Sequence, residues 1–201
     1  MKTNREYRNF AEEIQLRTDG ENSYIVEGYA STFDPYVLFE IEGEKYSERI
    51  DPAAFRNADM SDVVFRIDHE GAVYARTSNN TIQLYPDDHG LHVRADLSRT
   101  EKARGIFEDI REGMYPKMSF AFVVEDDGDE YERETKTRVI YRIKKLYDVS
   151  PVSHPANPGT EIGVSMRDFF NGEIEKEKAE RLERERKIKE LNLRIKLMKG
   201  I

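Results

Sequence analysis

The chain has no cysteine, so disulfide bonds, thiol nucleophiles and cysteine-ligated zinc are excluded. Histidine is scarce. His69, His89, His92 and His154 are the only four, and any imidazole chemistry must use one of them. No apolar run approaches the ~20 residues of a membrane-spanning helix, and no apolar signal-peptide region follows Met1. The expectation is a soluble cytoplasmic protein with no membrane partner. What is abundant is charge, at 36% of residues against an ordinary level of about 25%. Part of the excess is local: residues 171–201 hold seven acidic and ten basic side chains, which leaves about −11 on residues 1–170. An acidic body of this kind argues against generic binding to nucleic acid.

A length of 201 residues suits one domain with a proper core and is short for two. Residues 1–20 read as an N-terminal arm, loose or carrying a first edge strand over 13–16. Residues 21–170 form the main domain, and 171–201 a charged helical tail. The main domain is β-like, with short Val, Ile, Phe and Tyr runs between Gly, Pro, Asp and Asn turns. Strands are predicted over 23–33, 63–69, 81–85, 90–97, 117–125, 139–152 and 163–166. Asp51-Pro52 predicts an N-cap and first turn of a short helix over 51–58. A second helix follows over 100–112, with Thr100 as its cap, an apolar stripe of Ala103, Ile106, Phe107 and Ile110, and Gly113 as its stop. The fold class is α+β and β-rich: a closed or half-closed antiparallel barrel with a few helices and a C-terminal charged helix. In that last helix Ile188, Leu191, Ile195 and Met198 recur at coiled-coil spacing. It either packs on the domain or pairs with a copy of itself or a scaffold partner.

Four groups of residues have the chemistry for a site. The strand over 63–69 alternates so that Val63, Phe65, Ile67 and His69 share one face, and His69 ends it at the mouth of a loop. A held, half-desolvated imidazole there is suited to general base work, or is a structural histidine. In the strand from Lys117, Met118, Phe120 and Phe122 share one face and Ser119, Ala121 and Val123 the other. Small residues at 119 and 121 leave room for a substrate, with Ser119 as an attacking hydroxyl or a mere space-filler. No Gly-x-Ser-x-Gly surrounds Ser119, which excludes the α/β-hydrolase elbow. The proline-rich segment from Tyr147 to Pro158 stiffens the backbone and offers Asp148 and His154 as third members. His89 and His92 flank Gly90 in a hairpin pattern, and residues three apart on a strand face opposite sides, which disfavours a shared metal. Residues 126–137 are a hydrophilic insert, an exposed hairpin tip or a mobile loop, and its acidic run Asp126-Asp127-Gly128-Asp129-Glu130 lacks the helical flanks of a calcium loop.

Taken in order, these pieces resemble the prohead (procapsid maturation) serine proteases of tailed bacteriophages. The matched text runs from Gly28-Tyr29-Ala30 and Phe33 through Ile50-x-Pro52-x-Ala54-Phe55, Asp68-His69, Ala75-Arg76-Thr77 and Thr81-Ile82-x-Leu84. It continues with Asp87-Asp88-x-Gly90-Leu91, Met118-Ser119-Phe120-x-Phe122 and Asp148-Val149-Ser150-x-Val152-x-x-Pro155-Ala156. The resemblance implies a serine endopeptidase related in fold to the herpesvirus assemblins. Such enzymes work inside the immature capsid in the host cytoplasm, or in the bacterial cytoplasm when prophage-encoded. They cleave scaffold or the delta segment of the major capsid protein, and often themselves. By motif position Ser119 is the nucleophile and His69 the base. Asp148 is the third member, with His154 the alternative because assemblins use a second histidine. No cofactor or metal is implied. The rival readings are a noncatalytic capsid- or scaffold-binding protein and a metal-dependent hydrolase built on Asp68, His69 and the other histidines.

Overall fold

The structure is a computed structural model and describes residues 5–17, 24–41, 43–153 and 164–199. The chain divides into two compact units, 1–161 and 162–201. Among the described residues the first unit holds thirteen strands in three sheets. One sheet has the order β1 (Glu6–Glu13), β10 (Lys117–Val124), β13 (Ile143–Val152), β6 (Val64–Ile67), β7 (Glu70–Arg76). A second is β11 (Asp129–Glu132), β12 (Thr137–Ile140), β5 (Glu44–Ile50), β4 (Tyr36–Ile41). The third is β2 (Gln15–Arg17), β3 (Ile25–Thr32), β9 (Gly90–Asp96), β8 (Ile82–Pro86). The class is α+β, as expected, but the described strands close no barrel. Nor is the sheet wholly antiparallel, since β13 runs parallel to β6 and β12 parallel to β5. Alternation along a strand reports which face is buried. It carries no information on which distant strand lies alongside.

Several predicted elements differ in detail. The segment after Asp51 is a run of turns, with Ala54, Arg56 and Ala58 each donating to the carbonyl three residues back. Asp51 does cap it, its carboxylate accepting from Ala53 N at 2.8 Å. Three residues per turn bury Ala54 and Phe55 without propagating a helix. The strand expected over 139–152 is two strands. They break at Tyr141-Arg142, whose N–H groups both donate to Gly128 O instead of a ladder. The hydrophilic insert over 126–137 takes the hairpin form, one of its two expected readings, with β11 pairing with β12. Where a strand was expected over 163–166, Val164 opens helix α2 (Val164–Lys199). Helix α1 (Glu101–Arg111) matches its signals. Thr100 Oγ1 accepts from Ala103 N at 3.1 Å, Ala103, Phe107 and Ile110 are buried, and Gly113 reverses the chain at φ +78°.

Between the first two sheets lies a buried charge network. Glu48 of β5 is fully buried and accepts from Arg8 Nε at 2.5 Å, from Arg138 at 2.8 Å and from the Tyr36 hydroxyl. Glu6 binds both guanidiniums, and Asp129 binds Arg138. Burial alone raises the Glu48 carboxyl, but the two guanidiniums and their hydrogen bonds outweigh it and hold Glu48 at about 2. Burial and the Glu48 charge push the Tyr36 phenol above its ordinary value. A carboxyl depressed in the fold contributes stability in full above its unfolded range of about 4.3 and loses it as pH falls through the folded value. Acid unfolding followed by circular dichroism should therefore steepen between about pH 4.3 and 2. Glu48→Gln should flatten that window and cost about 3–5 kcal/mol at neutral pH, because two buried guanidiniums lose their anion.

Candidate active site

The site is built on β10, the strand between β1 and β13. Met118, Phe120 and Phe122 point into the core on one face, each at most 1% exposed. Burial of side chains this size is worth roughly 1.5–3 kcal/mol each and fixes which way the alternate residues point. Ser119 and Ala121 take the other face. Across the ladders Ser119 stands opposite Asn9 of β1 and Ser150 of β13, and Ala121 opposite Tyr7 and Asp148.

His69 arrives from a different element than alternation suggests. Strand β6 stops at Ile67, which pairs with Glu70 of β7, so Asp68 and His69 form a two-residue turn. Both have positive φ, 49° and 61°. A hairpin of the I′ type needs this geometry, and glycine or asparagine normally supplies it. Two non-glycine residues held there cost about 1–3 kcal/mol each. The surroundings offset that strain. Asp68 N donates to Pro151 O at 3.0 Å. The Asp68 carboxylate accepts from Ser153 N at 2.8 Å and from the Ser153 hydroxyl. The turn is thereby clamped to the end of β13, and parallel pairing of β6 with Asp148 and Val149 aligns it along the same strand.

The clamp leaves three side chains in series. Ser119 Oγ lies 2.5 Å from His69 Nε2, and His69 Nδ1 lies 2.5 Å from Asp148 Oδ1. An ionised carboxylate only accepts, so Nδ1 carries the proton, Nε2 presents its lone pair and the Ser119 hydroxyl donates to it. Ser119 and Asp148 are buried, and the His69 side chain is 16% exposed. Tyr7 meets the imidazole edge-on, with ring centroids 4.7 Å apart. Its neighbour Arg8 faces the opposite side into the Glu48 network, so the network that anchors β1 also sets Tyr7 beside His69. The arrangement is able to draw a proton from Ser119 Oγ onto Nε2 while the carboxylate balances the charge that forms on the ring.

His89 and His92 are not brought here. Both pack against Tyr29, and His92 stacks on Tyr85, in the β8–β9 region. His154 lies outside the described residues. Among the described residues no three His, Asp or Glu side chains are grouped to hold a metal ion. Asp129 of the acidic run is committed to Arg138. Three neighbours take parts that the sequence does not announce: Asp68 clamps its own turn rather than serving as a metal ligand, Tyr7 of β1 meets the imidazole, and Ser150 bonds Asp148. For Ser150 the signal was present, since Asp148-Val149-Ser150 alternates onto one strand face.

A serine hydroxyl, an imidazole and a buried carboxylate in series, carried on a strand-rich α+β domain, form the constellation of a serine hydrolase. The family model described as caudovirus prohead serine protease matches residues 12–193, and the chain belongs to that family. No curated protein and no solved structure matches the chain significantly. Family membership makes this, in general terms, a protease of phage capsid maturation. No helix among the described residues is long and apolar enough to cross a membrane.

Proposed function

We propose that the chain is a serine endopeptidase that trims the major capsid protein's delta segment or the scaffold inside the immature capsid, in the host cytoplasm, and cuts itself. The observation that carries the reading is the continuous Ser119–His69–Asp148 contact, with 2.5 Å at each step. Ser119 Oγ attacks the scissile carbonyl carbon as His69 Nε2 takes its proton. The tetrahedral intermediate collapses, the C–N bond breaks and Nε2 returns the proton to the leaving amine. Water then enters, gives its proton to the same nitrogen and attacks the acyl carbon; the ester C–O bond breaks and Nε2 returns the proton to Ser119 Oγ. Asp148 keeps the Nδ1 proton in place throughout. The test is co-expression with the capsid protein of the same phage, read by intact mass spectrometry. One specific cut, lost in Ser119→Ala, supports the reading. Complex formation without cleavage, together with no labelling by a fluorophosphonate, would favour the noncatalytic capsid-binding alternative.

Helix α2 adds a tether to this reading. Ile188, Leu191, Ile195 and Met198 repeat at 3, 4 and 3 along it, and all four are exposed. Residues 187–199 hold five basic side chains and one acidic. Two copies joined along this seam bring like charges together, so the better occupant is an acidic amphipathic helix of the substrate protein. Tethering of that kind raises the local substrate concentration without any new contact at the site. Leu191→Glu with Ile195→Glu should slow capsid-protein cleavage at least tenfold and leave a short soluble peptide substrate unaffected. Sedimentation showing dimers that these substitutions dissolve would make the occupant a second copy instead.

A further inference from the structure

Asp148 Oδ1 accepts two hydrogen bonds, from His69 Nδ1 at 2.5 Å and from the Ser150 hydroxyl at 2.7 Å. Ser150 lies two residues further along β13, on the same strand face, and its ladder partner is Ser119 itself. Both Ser150 and Asp148 are at most 1% exposed. Two serines thus stand side by side across the β10–β13 pair. Only Ser119 reaches the imidazole, while Ser150 is turned toward the carboxylate. The direction of that bond is fixed, since an ionised carboxylate has nothing to donate. A carboxylate this far from water needs fixed donors in place of its hydration shell, and a hydroxyl bond to a charged oxygen is among the stronger kinds. Strand β13 supplies that donor from its own backbone repeat, so the hydroxyl and the carboxylate it holds cannot drift apart.

We propose that Ser150 is a positioning residue of the proteolytic site: its hydroxyl holds Asp148 Oδ1 in line with His69 Nδ1. The proposal rests on the reading of Ser119, His69 and Asp148 as the reacting group. Ser150 touches no substrate and acts only through Asp148. It gives up no proton, because the transfer during attack runs from Ser119 Oγ to His69 Nε2 and the Ser150 O–H bond stays intact. Its loss frees the carboxylate to rotate away from Nδ1. The geometry of attack and the balance of charge on the ring then suffer, while substrate binding is untouched.

The test compares Ser150→Ala and Ser150→Thr with the unaltered chain and with Ser119→Ala, in the full protein, on one peptide containing the mapped cleavage site. Ser150→Ala should lower kcat about 10- to 100-fold, the equivalent of one charge-assisted hydrogen bond, with KM within twofold. Ser150→Thr keeps the hydroxyl and suits a strand, so it should recover most of that loss. In proton NMR the downfield Nδ1–H resonance of His69 should shift or broaden in Ser150→Ala and return in Ser150→Thr. A kcat within twofold of the unaltered chain in Ser150→Ala overturns the proposal. So does an unmoved Nδ1–H resonance, or a Thr variant no better than the Ala variant. Residual cleavage by Ser119→Ala equal to the unaltered chain would instead overturn the underlying protease reading, which separates the two failures.

Discussion

Ser119→Ala should abolish cleavage, lowering turnover by about six orders of magnitude, as expected where one nucleophile and its base act as a unit. The size of the effect follows from geometry. Ser119 Oγ is the hydroxyl in contact with His69 Nε2, and its strand neighbour Ala121 carries no replacement. Ser150, the nearest alternative on the facing strand, is bonded to Asp148 and not to the imidazole. The fold should survive. The substitution removes one oxygen from a fully buried small site, and His69 Nε2 is in a partly exposed ring that can recruit water. Its thermal midpoint should therefore stay within a few degrees. A fluorophosphonate should label the unaltered chain and leave Ser119→Ala unlabelled. Retained cleavage by a well-folded Ser119→Ala chain would remove Ser119 from the mechanism.

Asp148→Asn should lower kcat by about three to four orders of magnitude with little change in KM. The amide keeps the shape of the carboxylate and can still accept from Ser150. What it lacks is the full negative charge that balances the imidazolium formed during attack. It also allows the opposite orientation, in which its NH₂ faces Nδ1 and drives the ring proton to Nε2, blocking the lone pair that Ser119 needs. His154→Phe, in contrast, should leave turnover within a few-fold. Steady-state kinetics of the two variants on one peptide decides between them, and the reverse ranking would make the second histidine the third member.

The parts of the fold legible in the sequence are those whose signals are local. Thr100, the stripe through Phe107 and the stop at Gly113 mark α1 because capping, amphipathicity and a positive φ are properties of neighbouring residues. The alternation of Met118 to Phe122 marks β10 for the same reason. Strand β5 escaped notice because Glu48 occupies a slot between Tyr46 and Ile50 that a pattern search expects to be apolar. That charge is tolerated only because Arg8 and Arg138 arrive from 40 and 90 residues away. Strand β7 is hidden by its exposure, with its four leading residues, Gly71 among them, facing solvent. At the site, the residue types and order of Ser119, His69 and Asp148 were visible. The left-handed turn at Asp68-His69 was not. Alternation extended naturally through His69, and the clamp that bends the chain there lies on Pro151 and Ser153.

The dependence of the site on β13 has a consequence for the life of the nascent chain. Asp148, Ser150, the Pro151 carbonyl and Ser153 all lie on one late segment, and Ser119 and the His69 turn are each held against it. A ribosome that has released residues up to 140 has produced Ser119, His69, Asp68 and Tyr7 but not Asp148, Ser150, Pro151 or Ser153. The Asp68-His69 turn, left-handed at two non-glycine positions, then has the β6–β7 ladder and the Arg66 bond to His69 O but lacks the Pro151 and Ser153 bonds that clamp it. On the proposed reading of the site, proteolytic competence waits for this last segment. Chains that end before Asp148 should then be inert, which a peptide-cleavage assay of a chain ending at 140 checks.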